Sequence, residues 1–348
     1  MNETIPLSLP RTCGDALGPA TIRSCPEDFQ VTEIPLVAPD GEGEHCWLYV
    51  RKRNANTNWV AGQLAAFAGV SPRAVSYAGL KDRHAVTEQW FSVQLPGKAD
   101  PDWRLLDSDE FQVLEAARHS RKLKTGALRG NRFRIVLRGV TAEAEQVVKR
   151  LEILRHGVPN SYGPQRFGYQ GANLVQAERL LARPKARVSR NKRSIWLSAV
   201  RSALFNRVLA VRIEAGNWAG ALPGDAFQLE GRSAVFAATA IDADTLARLD
   251  RGDIHPTGPL CGSGDTLVSA AAAALEAATL APYGDWIRGL DAFRMKHARR
   301  ALRVIPGELC WSQPSADQWL LEFSLPAGSY ATSLLHELFE VQTADERG

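Results

Sequence analysis

The sequence predicts an α+β protein in which strand-rich ends enclose a helical, loop-rich middle. Three observations carry that reading. Period-two alternation of apolar residues, the mark of a half-buried strand, recurs before Gly157 and again after Pro306. Between them, "GVPNSYGPQRFGYQGAN" (157–173) is too dense in Gly, Pro and Asn to stay regular for long, and longer helical patterns follow it. No internal repeat or low-complexity tract breaks this organisation. The expected domains are a core over 1–156, an insertion over 157–304, and a return to the core over 305–348.

The elements follow in order. "FQVTEI" and "HCWLYVRKR" read as strands separated by the turn-rich "APDGEGE". "NTNWVAGQLAAFAGVSP" carries Val60, Leu64 and Phe67 at helical spacing, and Gly69 is placed to end that helix. Ser71 and Pro72 then fit the cap and first position of a second, short helix. "WFSVQL" alternates Phe91, Val93 and Leu95, and "RFRIVLRGV" alternates Phe133, Ile135 and Leu137. In "TAEAEQVVKRLEILRHG" the spacing predicts a helix capped by Thr141 and stopped by Gly157, with Glu143 and Glu145 near its positive end.

Past the loop, a helix of about twenty residues from Ser194 puts Leu197, Val200, Leu204, Val208 and Val211 on one stripe. "LPGDAFQLEG" reads as a turn and short strand, and "SAAAALEAATLA" as a helix after the Gly-rich break "GPLCGSGD". "DAFRMKHARRALR" reads as a basic helix leading to Pro306. "QWLLEFSLPAG" alternates Trp319, Leu321, Phe323 and Leu325 as a strand, and "YATSLLHELFEV" closes the chain as a helix.

Composition bounds the function. With 348 residues, 45% hydrophobic and 23% charged, the chain is long enough for two domains and ordinary for a globular protein. No run approaches the roughly eighteen unbroken apolar residues that cross a bilayer, so no membrane partner is expected. "MNETIPLSLPRTCG" has neither a basic n-region nor a long apolar stretch, so no secretory leader is expected. The five cysteines are widely spaced and form no C-x-x-C pair, which argues against a zinc site or disulfide framework and for a reducing cytoplasm.

The net charge of +4 is unevenly distributed. Ala116 to Arg134 holds seven Lys/Arg and no acid, and Arg179 to Ile213 holds ten Lys/Arg and no acid. Acids gather elsewhere, as between Asp225 and Asp253. A single basic stretch is as readily a solvated face, but two acid-free stretches point toward a polyanion, nucleic acid above all. Tyr162, Phe167, Phe133 and Tyr330 are interleaved with or follow these runs, and such rings can stack on unpaired bases. By position on its alternating strand, Phe133 fits the core equally well.

Metal and nucleotide chemistries find little support. The seven histidines show no H-x-x-x-H or H-E-x-x-H spacing, and "GPLCGSGD" and "GPQRFGYQG" contain neither a P-loop lysine nor a strand-flanked G-x-G-x-x-G. The cysteines have no identifiable catalytic partner and read as buried thiols.

What remains is "YAGLKDRHAVTEQW" (77–90), where Asp82 stands among Lys81, Arg83 and His84. Nearby cations favour the ionised form of a carboxylate, and an ionised carboxylate is a nucleophile. Because side chains alternate along an extended segment, Lys81 and Arg83 point away from Asp82. A tight partner must then come from elsewhere in the fold, and Arg23 is the candidate. On charge alone a surface ion cluster is the simpler explanation.

Resemblance changes that balance. "AGLKDRHAVTEQW" resembles the catalytic motif G-x-K-D-x-x-A-x-T-x-Q of the TruD family of tRNA pseudouridine synthases, through Gly79, Lys81, Asp82, Ala85, Thr87 and Gln89. "CPEDFQVTEIP", "PDGEGEH", "RKLKTGALRGNRF", "GVPNSYGPQRFG", "RNKRSIWLSAVRSALFN" and "LPAGSYATSLLHEL" also resemble segments of that family, in its order, from about residue 20 to 340. The resemblance implies a pseudouridine synthase core with a mixed, mainly antiparallel sheet flanked by helices, plus an inserted α/β TRUD domain. It implies isomerisation of uridine 13 in the D arm of tRNA, with no cofactor, no metal and no DNA partner, by a protein expected to be a monomer.

Residue by residue, Asp82 falls on the family's catalytic aspartate. Phe29, Asn131 and Phe133 fall on its uridine pocket, and Tyr330 on a further aromatic pocket position. Arginine stands at 23 where the family usually has lysine, and tyrosine at 330 where phenylalanine is common; both keep charge or ring character. Two alternatives use the same residues differently. An RNA-binding protein without chemistry would need only the basic stretches, and a two-carboxylate glycoside hydrolase would need a second acid that no motif identifies.

Overall fold

Alternation along the chain becomes alternation of burial. In the strand Gln318–Pro326 the buried residues are Trp319, Leu321, Phe323 and Leu325, and those between them are half-buried. The structure, a computed structural model, describes residues 8–183, 186–238 and 240–344. The chain divides into two units, one of Leu17–Val147, Pro306–Gly328 and Phe339–Gly348, the other of Met1–Ala16, Val148–Ile305 and Ser329–Leu338.

The first unit opens with β1 (Pro19–Ile22), β2 (Phe29–Pro35), β3 (His45–Arg53), α1 (Thr57–Phe67), β4 (Val75–Tyr77), β5 (Val86–Gln94), β6 (Phe111–His119) and β7 (Leu128–Arg138). Helix α2 (Ala144–Leu154) carries the chain into the second unit. There follow β8 (Val158–Pro159), α3 (Ala172–Ala182), α4 (Arg190–Glu214), β9 (Ala226–Leu229), β10 (Val235–Ala237), α5 (Ala243–Arg251), β11 (Ile254–Leu260), α6 (Ala270–Leu280), α7 (Gly284–Ala292), β12 (Ala298–Ala301) and β13 (Arg303–Val304). The chain then returns through β14 (Gly307–Ser315) and β15 (Gln318–Pro326), leaves again for α8 (Ala331–Leu338), and ends on β16 (Glu340–Thr343).

In the first unit the described residues form a ten-stranded sheet with the order β14-β15-β7-β2-β5-β3-β6, to which β1, β4 and β16 add. It is mixed: β2–β5 and β1–β16 pair in parallel, and the other pairings are antiparallel. Gly130 is required by the β7–β15 pairing, because a Cβ there would come within 2.2 Å of the Leu325 carbonyl oxygen. Helix α1, capped by the Asn56 side chain, buries Val60 and Leu64 in a cluster with Leu48, Val50, Phe91 and Val93.

The second unit packs around α4. That helix is buried on most sides, with Leu197, Val200, Leu204, Phe205, Val208 and Leu209 in one cluster with Tyr283 and Trp286. A four-stranded sheet of order β10-β9-β11-β12 accompanies it. No helix among the described residues is long and apolar enough to cross a membrane.

Four details depart from the expectations. Helix α2 begins at Ala144, so Thr141 lies ahead of its first turn rather than at its cap. Helix α4 begins at Arg190, capped by Ser189, earlier than Ser194, and Val211 is only half-buried on it. The stretch 291–303 is not a basic helix: α7 ends at Ala292, Arg294 takes φ +56°, and the rest forms β12 and β13. The reason is that its arginines find internal partners. Arg299 pairs with Glu276, Arg300 donates to Asn160, and Arg303 donates to His255 and to the carbonyls of Leu249 and Ile254. Finally, Ser329–Leu338 joins the second unit through Ser333 on Ser161 and Tyr330 on Arg166, whereas the sequence placed all of 305–348 in the core.

Candidate active site

The motif occupies the connection between β4 and β5, two strands that pair antiparallel, so residues 78–85 form a loop held at both ends by the sheet. Three anchors fix its interior. Thr57, fully buried at the first turn of α1, accepts from the Lys81 backbone N–H at 3.1 Å. Gln89 on β5 donates its amide to the Gly79 carbonyl at 2.9 Å. The Lys81 ammonium lies 3.0 Å from Glu33 and donates to the Asn131 carbonyl oxygen at 2.7 Å, with only 5% of the lysine and 1% of the glutamate side chain exposed. A buried lysine is tolerable only with such partners. Ala85 is fully buried and its carbonyl accepts from Asn54 N–H, so four motif residues have structural duties.

Asp82 differs. Its side chain is 47% exposed, and its partner is Arg23, with Nη2 3.3 Å from Oδ2. The ion pair anticipated between these two residues is therefore present, while Lys81 turns inward. Arg23 follows β1 with φ +58°, an uncommon conformation for a side chain with Cβ. Its guanidinium lies over the Phe29 ring, 4.2 Å from the centroid, a cation–π contact that holds it in place beside Asp82. Phe29 meets Phe133 edge to face at 6.3 Å, and Phe133 stacks on Phe323 at 5.3 Å across β7 and β15. The rings of Phe29, Phe133 and Phe323 are all buried, at 2%, 6% and 1% exposure. Arg23, Phe29, Asn131 and Phe133 are thus brought into one connected set with Asp82 or with its neighbour Lys81.

One member of this set went unnoticed in the sequence. Lys52 on β3 has no exposed surface, and its ammonium donates to the Asp82 backbone carbonyl at 2.6 Å. Burial pushes its pKa down to about 8, with Asp82 opposing the shift and Lys81 adding to it. The signal was available: Cys46, Leu48, Val50 and Lys52 share the buried register of β3, while Arg51 and Arg53 are exposed. Glu33 falls in the buried register of β2 with Phe29 and Val31 in the same way.

Tyr330 belongs to the other unit. There its hydroxyl accepts from Arg166 Nη2 at 2.7 Å and Nε at 3.1 Å, and its ring meets Tyr162 edge-on at 6.0 Å. Tyr162 and Phe167 are buried in that unit's core, at 9% and 1% exposure. The basic stretches divide similarly. Arg212 is buried against Asp225, and Arg118, Arg132 and Arg134 pair with Asp100, Glu308 and Glu322. Arg190, Lys192 and Arg193, at the start of α4, are exposed.

The remaining side chains of reactive type are placed differently. The thiols of Cys46 and Cys261 are pushed up to about 12 by burial, as suits packing residues. Among the described residues no group of three His, Cys, Asp or Glu could hold a metal ion. The second acid of the network, Glu33, is buried against Lys81, so the set offers one accessible carboxylate rather than the pair that glycoside hydrolysis uses. A single exposed carboxylate fixed by a guanidinium can add to an electrophilic carbon or take up a proton.

A family model described as tRNA pseudouridine synthase D (TruD) matches residues 15–183 and 172–338. The tRNA pseudouridine synthase D of Methylococcus capsulatus is 50% identical over 95% of this chain and 94% of its own length. That of Nitrosococcus oceani is 49% identical over 94% and 92%. A crystal structure assigned as a tRNA pseudouridine synthase D from Methanosarcina mazei has the same fold, with a TM-score of 0.72 over 97% of each chain at 24% identity.

Proposed function

The chain belongs to the TruD family of tRNA pseudouridine synthases, isomerases that act on tRNA, and we propose that Asp82 is the carboxylate with which it converts uridine 13 of the D arm to pseudouridine. The observation that carries this reading is the contrast between Asp82 and its motif. Lys81 and Gln89 turn their side chains into the scaffold and Gly79 and Ala85 lend it their carbonyls, while the Asp82 side chain is 47% exposed and paired with Arg23. Gly79 supports it further. A Cβ at that position would meet nothing within 4 Å, so packing does not require glycine there, and a bare backbone beside Asp82 gives a nucleotide room to approach.

The reaction exchanges an N1–C1′ bond for a C5–C1′ bond within one nucleotide, so nothing is consumed. Uridine must first leave its stack, since neither bond can be reached inside folded RNA. Phe133 and Phe29 supply an apolar wall for the extruded uracil, and Asn131, whose carbonyl oxygen is occupied by Lys81, keeps its N–H groups for the base. Asp82 assists departure of the base, either by adding to C1′ or by promoting its loss to a glycal. The free uracil turns, bonds through C5, gives up its C5 proton to Asp82 or water, and takes a proton at N1. Ion pairing to Arg23 holds the carboxylate in one orientation at the loop surface.

The inserted segment 157–304 serves as an α/β domain that grips tRNA through Arg190, Lys192 and Arg193. Tyr330 adds an aromatic contact to the substrate. The protein works as a monomer in the cytoplasm, with no cofactor and no DNA partner. The test is incubation with unmodified tRNA followed by chemical mapping of pseudouridine. Wild-type protein is expected to modify position 13, and Asp82→Asn to form none while binding tRNA within about threefold of wild type. Full activity of Asp82→Asn overturns the assignment, and binding without any modification by wild type favours an RNA-binding protein without chemistry.

A further inference from the structure

Lys52 is a charged side chain in a place where charge is costly. It lies in the inward register of β3, has no exposed surface, and among the described residues no carboxylate lies within 4 Å of its ammonium in an ion pair. An apolar residue there would extend the row of Cys46, Leu48 and Val50 without a desolvation penalty. What the lysine adds is a donor, and its acceptor is the backbone carbonyl of Asp82 at 2.6 Å. A hydrogen bond from a charged donor in a dry site is short and strong, and its worth is greatest where no water can replace it.

The surrounding contacts show what that bond does. Residues 79–82 have no regular secondary structure, so no sheet ladder fixes the main chain at Asp82. Gly79 and Lys81 are tied by Gln89 and Thr57, and beyond Asp82 the Arg83 carbonyl accepts from Ala85 N–H while the Ala85 carbonyl accepts from Asn54 N–H. Between them the peptide of the reactive residue itself is held by Lys52 alone among these anchors. With the carbonyl drawn inward, the carboxylate is left 47% exposed and within 3.3 Å of Arg23.

We propose that Lys52 is a positioning residue for the reaction, a buried clamp on the Asp82 main chain that sets where the carboxylate meets the ribose of the target nucleotide; the inference rests on Asp82 being the reactive carboxylate. It makes no contact with substrate. Displacing a reacting group by an ångström costs on the order of a hundredfold in rate, so loss of the clamp acts on turnover rather than on binding.

The test compares wild type, Asp82→Asn, Lys52→Met and Lys52→Gln on one unmodified tRNA transcript, with single-turnover rate, tRNA Kd and amide hydrogen exchange over 79–85. Methionine keeps the stem and removes the donor. Glutamine returns a neutral, shorter donor. Lys52→Met is expected to lose about a hundredfold in rate with Kd within about threefold, and to exchange faster at 79–85 while the rest of the sheet is unchanged. Lys52→Gln is expected to recover part of the rate. A rate within about twofold of wild type for a folded Lys52→Met overturns the inference, as does unfolding of both variants, which would make Lys52 a general folding residue. An active Asp82→Asn in the same series would instead overturn the reading of Asp82, so the two failures are distinct.

Discussion

Lys81 and Glu33 lie 3.0 Å apart with almost no exposed surface, so the lysine of the motif faces the scaffold while the aspartate beside it faces outward to Arg23. Two adjacent residues of opposite charge are thus separated by the backbone rather than paired across it. The aspartate's orientation depends on a partner that follows β1, and the loop's stability depends on a partner from β2.

Removing one half of that buried pair is expected to be expensive. Lys81→Met strands the Glu33 carboxylate and should lower unfolding free energy by about 3–5 kcal/mol. Adding Glu33→Leu should recover most of the loss, because two apolar side chains replace two compensated charges. Urea titration of the single and double variants checks this. Equal midpoints for the two would show that the pair is not coupled.

Stability should depend on pH through Lys52. Its folded pKa, lowered to about 8 by burial, lies below that of an unfolded lysine. Between about pH 8 and pH 10.5 the unfolded chain holds a proton that the folded chain does not, so this group makes stability rise with pH across that window. Below about pH 8 both states are protonated and the full penalty, on the order of 3 kcal/mol, applies. Lys52→Met removes the group, so its stability curve should lack that rise relative to wild type. Parallel curves for the two proteins would contradict it.

Binding of tRNA should weaken steeply with salt. Each phosphate neutralised contributes a slope of about −0.7 to −0.9 in log K against log salt. Exposed Arg190, Lys192 and Arg193 at the start of α4 are the residues to reverse in charge, since Arg212 of the same helix is internally paired. The triple reversal should flatten the slope by about two to three phosphates' worth and weaken binding at low salt. An unchanged slope would remove this helix end from the RNA-binding surface.

Much of the sheet was legible because its strands obey a simple rule. Phe133 to Leu137 and Trp319 to Leu325 alternate in sequence and in burial, whereas the inner strands His45–Arg53 and Val86–Gln94 are buried on both faces along much of their length. The arginine-rich stretch after Ala292 reads as a basic helix in the sequence because buried partners distant along the chain are not visible there. Arg299, Arg300 and Arg303 instead pair internally, with Glu276, Asn160 and His255, which are distant in sequence. Lys52 and Glu33 escaped notice for the same reason, although each sits in the inward register of its strand. The partnership of Arg23 with Asp82 could be anticipated from alternation within the loop. The stack of Phe133 on Phe323 could not, because nothing local links β7 to β15.

The stack on Phe323 has a further meaning for biosynthesis. Strand β15 sits between β14 and β7, inside the sheet order rather than at its margin, and it is encoded after the whole of 148–305. Phe133 therefore leaves the ribosome long before the strand that covers it, and β1 waits longer still for β16. During translation the nascent sheet carries an open seam along β7, closed only when the last segments emerge. Closure of the sheet is a late event in the life of each molecule, and truncated chains that end within the insertion lack the strand that covers Phe133.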